Sequence, residues 1–568
     1  MLADPSSTTA LQHPPGGPLG ADPDLQGARR AATLILLRDG DAGPEVLLMR
    51  RAERSGDSRS GVWVFPGGAL DPADAGMQAL CEAADEAAWN QRLDLPSGGL
   101  DYAVAALRES FEEVGLLLAH GTAEAMSSVQ MQRLQLQTGA AFAEACRGAG
   151  LRLATDQLRY FSHWLTPPGM KQRFDTRFFI ARMPEGQTAV ADAAEALEVA
   201  WLRPADALAA GLKLLPVTER TLQQLSRHAS VQAALEATDA QAAVRRTMPR
   251  LGRDEKGTRP FLPDHWAWAE IGRLDPTGRG DVFADLLPLR AVALSERVTR
   301  VTCNNGSVMT GPGTNTYLLC APGGDEVAVL DPGPDDADTE AHLQAVLAAA
   351  QPGRITRILV THTHTDHSPA ARRLQALTGA TLVGRVASHP MWQDATFVPD
   401  HVPADGERMS LGEGCTLRAV PTPGHASNHV CWLLEEERLL FTGDHVMQGS
   451  TVVINPPDGD MAAYCASLQD LLSLDLQWLA PGHGFLIAEP QAEIRRLLAH
   501  RQAREDKVLT ALRAQAAPVT VQALVPEVYG DVPASRHGIA ARSLSANLLK
   551  LAAQGQAKVD DEGRWEAA

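Results

Sequence analysis

Residues 361–367 read Thr-His-Thr-His-Thr-Asp-His and come directly after the apolar run Ile358-Leu359-Val360. The apolar run predicts a buried strand, and a loop at the end of a strand can turn several side chains toward one point. Imidazole nitrogen and carboxylate oxygen are the ligands that a borderline cation such as Zn²⁺ takes. The alternative is a polar loop that is rich in His by chance, and the further ligands described next weigh against it. The stretch therefore predicts a metal site, and the site decides the fold around it.

Three other stretches each present one metal-binding side chain at the end of an apolar run. The stretches are Pro421–His425, Leu439–Asp444 and Trp478–Gly484, which present His425, Asp444 and His483. Each has a glycine beside the ligand, and glycine lets the backbone turn tightly. Gly-His and Gly-Asp dipeptides are common, so each stretch alone is a weak signal. Their occurrence together with residues 361–367 is a strong one.

In combination, the four stretches resemble the metallo-β-lactamase superfamily, a hydrolase family with an αββα sandwich fold. The resemblance implies that one metal ion is held by His362, His364 and His425. A second ion would be held by Asp366, His367 and His483, with Asp444 bridging both ions. Asp331, which ends the apolar run 327–331, matches an aspartate that supports such sites without binding the metal.

The same resemblance implies two zinc ions, with iron or manganese as alternatives, and a catalytic part for Asp366. Six His and Asp ligands with a bridging carboxylate form a two-metal clamp used for hydrolysis, in which the ions lie about 3.5–4 Å apart. The ligands therefore indicate a hydrolase.

A second cluster of acidic residues lies in residues 108–116, which read Arg-Glu-Ser-Phe-Glu-Glu-Val-Gly-Leu. On a helix, Glu109, Glu112 and Glu113 share one face. Three such carboxylates repel one another unless a cation neutralises them, and oxygen ligands suit Mg²⁺ or Mn²⁺. A solvated acidic helix face is the alternative, and for these residues alone it is the better interpretation.

The flanking sequence favours a binding site. Predicted strands at 31–37 and 45–51 precede a further strand, 62–66, that runs into Gly67 and Gly68. Strands, glycine turn and acidic helix together resemble the Nudix hydrolases, which have an α/β/α sandwich fold and cleave nucleoside diphosphates linked to another moiety. The resemblance implies that Glu112 and Glu113 are the principal Mg²⁺ or Mn²⁺ ligands and that Glu109 and Glu112 act in catalysis. Glu109 would be a further ligand or position a water, while Arg108, Gly67 and Gly68 would support the site.

The sequence departs from the usual Nudix pattern in two ways. Gly68 and Arg108 are 40 positions apart, about 26 more than the pattern has, so an insertion is expected at about 72–102. The glutamate expected six positions after the glycine has no clear counterpart. The insertion and the downstream stretches 161–168, 173–179 and 198–202 resemble the coenzyme A-cleaving Nudix subfamily.

The chain is therefore predicted to be an α/β multidomain protein. The predicted parts are a disordered leader (1–27), a Nudix-like domain (28–240), a linker (241–287), a metallo-β-lactamase-fold domain (288–489) and a small winged-helix-like cap (490–568). Residues 310–319 and the cap resemble a branch of the superfamily that includes a mitochondrial single-strand endoribonuclease. No apolar run approaches the ~20 residues that span a bilayer. Seven scattered Cys without a Cys-x-x-Cys motif predict a reducing, cytoplasmic setting.

Net charge bears on the substrate. Residues 290–489 contain 11 Lys and Arg against 23 Asp and Glu, a net charge of −12, whereas residues 490–568 carry 11 against 9, a net charge of +2. Nucleic-acid binders normally show a basic surface. We therefore expect small-molecule substrates: a thioester such as acyl-coenzyme A or acyl-glutathione for the metallo-β-lactamase half, and a diphosphate such as coenzyme A for the Nudix half. Single-stranded RNA, with the Nudix half as a non-catalytic binding module, is the alternative. No membrane partner is expected, and the oligomeric state is left open.

Overall fold

A computed structural model describes residues 23–52, 60–136, 138–192 and 196–568. Most of the predicted leader, residues 1–22, lies outside these ranges. Residues 24 and 26 bind the N-terminal domain through their backbone carbonyls, which accept hydrogen bonds from Arg173. In the described ranges, no helix is both long and apolar enough to cross a lipid bilayer.

The N-terminal domain is built on an eight-stranded sheet with the order β10-β7-β8-β1-β2-β3, to which β4 and β9 add on β1 and β2. Its strands, with a small separate pair β5–β6, are β1 Ala28–Gly40, β2 Gly43–Arg51, β3 Trp63–Val64, β4 Gly67–Ala69, β5 Ala119–His120, β6 Arg152–Leu153, β7 Arg159–Leu165, β8 Arg173–Arg182, β9 Ala196–Leu202 and β10 Arg246–Thr247. Its helices are α1 Glu86–Leu93, α2 Gly99–Val114, α3 Ala123–Met131, α4 Gly139–Gly148, α5 Pro204–Ala209, α6 Pro216–Leu225 and α7 Val231–Asp239.

Helices cover both faces of this sheet. Because side chains alternate along a strand, Leu34 and Leu36 of β1 pack toward α2, while Ile35 and Leu37 pack toward α6 and α7. The acidic helix α2 is buried along most of its length and ends at Gly115, whose φ of +72° suits glycine. The predicted α/β/α sandwich is confirmed. The predicted insertion contains a short 3₁₀ helix, Asp74–Leu80, and α1.

The predicted linker is a folded segment that contacts the domain after it. It contains the hairpin β11 Arg250–Asp254 and β12 Gly257–Phe261, followed by α8 Trp268–Leu274. Glu270 of α8 accepts two hydrogen bonds from Arg300, at 2.7 and 2.8 Å, and both side chains are only 2% exposed. Glu270 also accepts a bond from the Leu486 backbone N–H at 2.9 Å. The segment therefore contributes a buried counter-ion to the next domain.

Two facing six-stranded sheets form the centre of the metallo-β-lactamase domain. The first consists of β13 Ala291–Ala293, β14 Val298–Thr302, β15 Asn315–Cys320, β16 Glu326–Leu330, β17 Arg354–Leu359 and β18 Thr381–Val383. The second consists of β19 Arg408–Ser410, β20 Thr416–Pro421, β21 Val430–Leu434, β22 Leu439–Gly443, β23 Trp478–Pro481 and β24 Ile487–Ala488. Tyr317 and Phe441, one from each sheet, pack edge to face at 4.9 Å in the core between them.

Helices pack on the outer face of each sheet. They are α9 Thr339–Ala350 and α10 Ala370–Thr378 on the first sheet and α11 Met461–Leu471 on the second. The predicted αββα sandwich is thereby confirmed.

The C-terminal part consists of three helices and a hairpin, as predicted. The elements are α12 Pro490–Arg513, α13 Val521–Val528, α14 His537–Ala553, β25 Ala557–Val559 and β26 Trp565–Ala567. Their apolar faces meet in a separate core around Leu524, Leu544 and Trp565. The first half of α12 packs instead on the metallo-β-lactamase domain, through Ile494 and Leu497.

Candidate functional site

The predicted metal ligands are all carried just beyond strand ends at one edge of the αββα sandwich. The loop 361–367 follows β17, Asp331 follows β16, Asp444 follows β22, and His483 follows β23. The pairs β16–β17 and β22–β23 are parallel, so within each pair the carboxyl ends lie side by side. Strand order therefore brings together residues that are up to 152 positions apart in sequence.

Three imidazoles form a first group of candidate ligands. One nitrogen from each of His362, His364 and His425 lies within 4.8 Å of the other two. Nδ1 of His364 is 3.0 Å from Nε2 of His362 and 3.0 Å from Nε2 of His425. The three lone pairs can therefore converge on one ion.

Asp366, His367, Asp444 and His483 form a second group within the same 4.8 Å limit. Oδ1 of Asp444 lies 3.3 Å from Nε2 of His367 and 3.3 Å from Nε2 of His483. Oδ2 of Asp444 lies 3.7 Å from Nε2 of His425, which belongs to the first group. One carboxylate thus faces both groups, which is the arrangement that a bridging ligand needs.

Several atoms in the second group are buried and have no hydrogen-bond partner among the described residues. They are Nε2 of His367, Nε2 of His483 and Oδ1 of Asp444. A buried polar atom without a partner costs about 1–3 kcal/mol, and three such atoms aimed at one another would be a large penalty. A divalent cation bound by these atoms would remove it, so the residues present fit a metal ion.

Asp331, the predicted supporting residue, contacts the ligand loop at three atoms. Its carboxylate accepts hydrogen bonds from the backbone N–H and the hydroxyl of Thr361, at 2.7 and 2.8 Å. Oδ2 of Asp331 also lies 3.0 Å from Nδ1 of His367. Asp331 has a left-handed backbone, with φ of +52°, which is uncommon for a residue other than glycine.

Two backbone carbonyls that the sequence did not indicate orient two other imidazoles. Nδ1 of His425 lies 2.9 Å from the Val453 carbonyl, and Nδ1 of His483 lies 3.2 Å from the Gly313 carbonyl. A hydrogen bond from Nδ1–H fixes the tautomer and leaves Nε2 free to bind a metal. These interactions are the outer shell that commonly accompanies metal-binding His residues.

The electrostatics of the two groups differ. Burial, reinforced by the neighbouring imidazoles, lowers the pKa of His362 well below its ordinary value. Burial also lowers the pKa of His367, but the carboxylates of Asp366, Asp444 and Asp331 outweigh it and raise that pKa well above the ordinary value. The pKa of His483 is raised to about 9, because the Asp444 and Asp366 carboxylates outweigh burial. The second group therefore favours positive charge at its centre.

The winged-helix region supports this site through α12. Arg501 is buried and donates a hydrogen bond to the Val452 carbonyl at 2.6 Å, one residue before the carbonyl that orients His425. The Arg501 guanidinium also lies over the Tyr464 ring at 5.0 Å. Gly424, beside His425, packs so tightly on Tyr464 that a Cβ at Gly424 would lie 2.3 Å from Tyr464 Cα.

His429 is a further buried residue that the sequence patterns did not single out. Its ring stacks on that of His362 with centroids 5.0 Å apart, and its Nδ1 lies 2.8 Å from the Thr422 hydroxyl. No motif marks His429, because its position depends on the pairing of β20 with β21 and not on spacing from a ligand.

In the N-terminal domain, the acidic residues of α2 are held by local hydrogen bonds. Arg108 donates to Glu109 at 2.9 Å and to Glu112 at 2.8 Å, while Glu113 accepts from the Gly67 N–H at 2.7 Å. Glu109 packs against Gly68, where a Cβ would lie 2.5 Å from Oε1. Among the described residues, the three carboxylates do not form a group with ligand atoms within 4.8 Å of one another. Their role as metal ligands stays a prediction, whereas Arg108, Gly67 and Gly68 do contact them.

Asp74 occupies the position at which the Nudix pattern has a glutamate. It lies six positions after Gly68, it is fully buried, and it accepts bonds from Arg108 at 2.8 and 3.1 Å. An aspartate therefore replaces the expected glutamate. Its distance of six positions from Gly68 is the only sequence signal that indicates this role. The long insertion obscured this pairing, because it puts 34 positions between the two residues.

Comparisons with known families match all three parts of the chain. Residues 309–483 match the metallo-beta-lactamase superfamily, residues 28–133 the NUDIX domain, residues 83–213 the NUDT19 Nudix domain, and residues 520–565 the beta-lactamase associated winged helix domain.

Two curated relatives are about one third identical in sequence to this chain over the matched residues. The "Atrochrysone carboxyl ACP thioesterase" of Aspergillus fumigatus is 35% identical over 255 residues, which cover 42% of this chain and 76% of the relative. The "Beta-lactamase-like protein 2 homolog" of Drosophila melanogaster is 33% identical over 276 residues, which cover 47% of this chain and 91% of the relative.

Two solved structures resemble separate parts of the chain. A metallo-beta-lactamase family protein from Thermus thermophilus covers 49% of this chain and 100% of its own, with 22% identity and a TM-score of 0.42. A NUDIX hydrolase from Alicyclobacillus acidocaldarius covers 37% of this chain and 96% of its own, with 30% identity and a TM-score of 0.31.

The family matches and the thioesterase relative, together with the ligand groups, define a hydrolase with two enzyme-type domains. The chain belongs to the metallo-β-lactamase superfamily, and it carries a Nudix domain at its N-terminus and a winged-helix domain at its C-terminus.

The Asp74–Arg108 pair yields a test of the Nudix core. Asp74→Ala should lower the free energy of unfolding by about 1–3 kcal/mol, because it removes the acceptor of two buried Arg108 hydrogen bonds, while Glu109 and Glu112 still balance the Arg108 charge. Asp71→Ala is the matched control, since Asp71 is an exposed aspartate in the same turn whose carboxylate accepts a hydrogen bond from the Ala73 N–H. Denaturant unfolding of the full chain measures both, and equal losses for the two variants would show that the pair is not the stabilising feature.

Proposed function

We propose that the metallo-β-lactamase domain hydrolyses a thioester, such as an acyl-coenzyme A or acyl-glutathione, and that the Nudix domain hydrolyses a diphosphate linkage such as that of coenzyme A. The first site would use two zinc ions, and the second Mg²⁺ or Mn²⁺. A relative that is 35% identical over 76% of its length is named a thioesterase, which supports the first half of the proposal. The match of residues 83–213 to the NUDT19 Nudix domain supports the second.

The observation that carries metal-dependent hydrolysis in this domain is the placement of Asp444 between the two ligand groups. The choice of a thioester rests on the thioesterase relative and on charge. The two Asp444 oxygens lie 3.3 and 3.7 Å from nitrogens of different groups. When bound in such a site, two metal ions lower the pKa of a water and polarise the scissile carbonyl. The chain itself supplies rigid orientation: Asp331, Val453 and Gly313 hold three ligand imidazoles through their outer nitrogens.

Charge favours the thioester over single-stranded RNA, the alternative substrate. An RNA chain brings one negative charge per nucleotide to a domain with a net charge of −12. Several cations of the winged-helix region are already paired within it. Arg504 and Lys507 both bind Asp531, and Lys550 binds Glu505. These paired cations are poorly placed to neutralise phosphates as well.

We expect the full chain to bind about two equivalents of zinc in this domain. Asp444→Ala should weaken the binding of both ions together, because one carboxylate faces both groups. Asp475→Ala removes an exposed carboxylate outside the site and is the matched control. Elemental analysis after dialysis measures the zinc content. A chain that retains no transition metal, or an Asp444 variant that keeps both ions, would contradict the proposed site.

We expect thioester hydrolysis that falls at least about a hundredfold in His362→Ala, since changes that disturb a metal site typically cost 10- to 100-fold even in its outer shell. His228→Ala, a change outside both ligand groups, should keep full activity. RNA cleavage should be weak at physiological salt and should weaken further as salt increases. Thiol release from acyl thioesters and gel assays of short RNA measure the two activities. Efficient RNA cleavage without turnover of any thioester would reverse the assignment.

We expect the Nudix domain to cleave a diphosphate linkage only when Mg²⁺ or Mn²⁺ is present. Glu112→Gln keeps the side-chain shape but removes its charge, so turnover of coenzyme A should be lost while the unfolding midpoint changes little. Glu124→Gln, on the exposed start of α3, is the control. Chromatography of the products measures the cleavage. If Glu112→Gln matches the unaltered protein on every diphosphate that is cleaved, the domain does not use this site.

A further inference from the structure

A loop beside the metal ligands presents a tryptophan in an unusual conformation. Gln393 forms an isolated antiparallel bridge with His364, and its side chain accepts a hydrogen bond from the Thr363 hydroxyl at 2.7 Å. The Asp394 N–H also donates to the Thr363 carbonyl, at 2.6 Å. These bonds fix the loop to the stretch that carries the ligands. Trp392 therefore lies one residue from a position that pairs with His364.

Trp392 combines a strained backbone with an exposed side chain. Its φ is +70°, in the left-handed region that bulky residues rarely adopt, and its side chain is 53% exposed. Such strain costs about 1–3 kcal/mol and clusters at ligand-binding positions. Burial does not explain the strain at Trp392, because about half of the side chain faces solvent.

An arginine from the winged-helix region covers the Trp392 ring. The guanidinium carbon of Arg542, on α14, lies 4.8 Å from the ring centroid, within the range of a cation–π interaction. Within the described part of the chain, no carboxylate or carbonyl accepts a hydrogen bond from the Arg542 guanidinium, in contrast to the side chains of Arg504 and Lys550. Its planar N–H groups are therefore available to an anion, and a guanidinium binds phosphate or carboxylate through two parallel hydrogen bonds.

The two loops that flank the ligands also expose apolar side chains. Met391 is 53% exposed beside Trp392. Val308 and Met309 are exposed in the loop that leads to Gly313, whose carbonyl orients His483. The surroundings of the site thus offer apolar contacts, and the winged-helix region adds an available guanidinium beside an acidic domain.

We propose that Trp392 and Arg542 form a subsite for the thiol half of the substrate, with Arg542 binding an anionic group of that half and Trp392 packing against its chain. The proposal rests on the proposed thioester hydrolysis and narrows its substrate class to thioesters of anionic thiols. The anion is a phosphate if the thiol is coenzyme A or a phosphopantetheine carrier, and a carboxylate if it is glutathione. The winged-helix domain would then contribute directly to substrate selection.

The test compares three thioesters of one acyl group, which differ only in the thiol. Hexanoyl-coenzyme A and hexanoyl-glutathione carry anions, whereas hexanoyl-N-acetylcysteamine carries none. Thiol release is followed in the zinc-loaded full chain without added Mg²⁺, so that the Nudix domain does not consume coenzyme A. Arg542→Ala should raise KM about tenfold for whichever anionic thioester the enzyme prefers. A tenfold loss of affinity is what one charge-assisted hydrogen bond contributes. The same variant should leave kcat unchanged and change hexanoyl-N-acetylcysteamine hydrolysis less than twofold.

Matched variants separate this subsite from general effects. Arg513→Ala removes an exposed cation at the end of α12 and should leave all three substrates unchanged. Arg542→Lys should recover part of the lost affinity, and Trp392→Phe should retain more of it than Trp392→Ala. Zinc content is measured in every variant to confirm that the ligand groups are intact. Equal losses of Arg542→Ala on the charged and uncharged thioesters, or no loss on any of them, would overturn the proposal.

A titration with the free thiols distinguishes failure of the subsite proposal from failure of the proposed thioester hydrolysis. If the unaltered chain hydrolyses no thioester, the proposed function is wrong, and calorimetric titration with free coenzyme A and with free glutathione still decides the subsite. Weaker binding of either thiol to Arg542→Ala than to Arg513→Ala supports an anion site at Arg542. Identical binding of both thiols to the two variants excludes it.

Discussion

The metallo-β-lactamase domain depends on the Asp331 carboxylate, which lies between two parallel strands and the ligand loop. Its oxygens accept three contacts, from the N–H and hydroxyl of Thr361 and from the ring of His367. Together with the bonds of Gln393 and Asp394 to Thr363, these contacts hold the loop against the repulsion and desolvation of its crowded polar side chains. The left-handed conformation of Asp331 is the cost of placing one carboxylate at the point where β16 and β17 both end.

Sequence was sufficient for the parts of the fold and site that are encoded locally. Four stretches each contain both a strand and its candidate ligands, so sequence alone could indicate them. They are 361–367 and the three apolar runs that end in His425, Asp444 and His483. Val453, Gly313 and His429 could not, because they act through a carbonyl or a ring stack that only the tertiary fold creates. Asp74 was missed for a different reason: a long insertion separates it from Arg108.

The metallo-β-lactamase site and the Nudix site differ in how their crowded polar side chains are paired. In the metallo-β-lactamase domain, the Val453 and Gly313 carbonyls and the Asp331 carboxylate bind the Nδ1 atoms of three imidazoles. Among the described residues, Nε2 of His367, Nε2 of His483 and Oδ1 of Asp444 have no hydrogen-bond partner. In the Nudix domain, the buried guanidinium of Arg108 already neutralises Glu109 and Glu112. A metal ion in the Nudix domain therefore has to compete with the Arg108 guanidinium, whereas in the metallo-β-lactamase domain it has to displace protons from His367 and His483. This difference explains why candidate ligand atoms converge in the metallo-β-lactamase domain and do not converge among Glu109, Glu112 and Glu113.

The buried pair between Glu270 and Arg300 determines where the chain can be divided. A fragment that begins at residue 288 keeps every candidate ligand of the metallo-β-lactamase domain, yet it removes Glu270, the carboxylate that binds the Arg300 guanidinium through two hydrogen bonds. It also removes the acceptor of the Leu486 N–H, three residues from His483. Helix α8 thus belongs with the domain that follows it, and an independently stable C-terminal half has to begin ahead of residue 268.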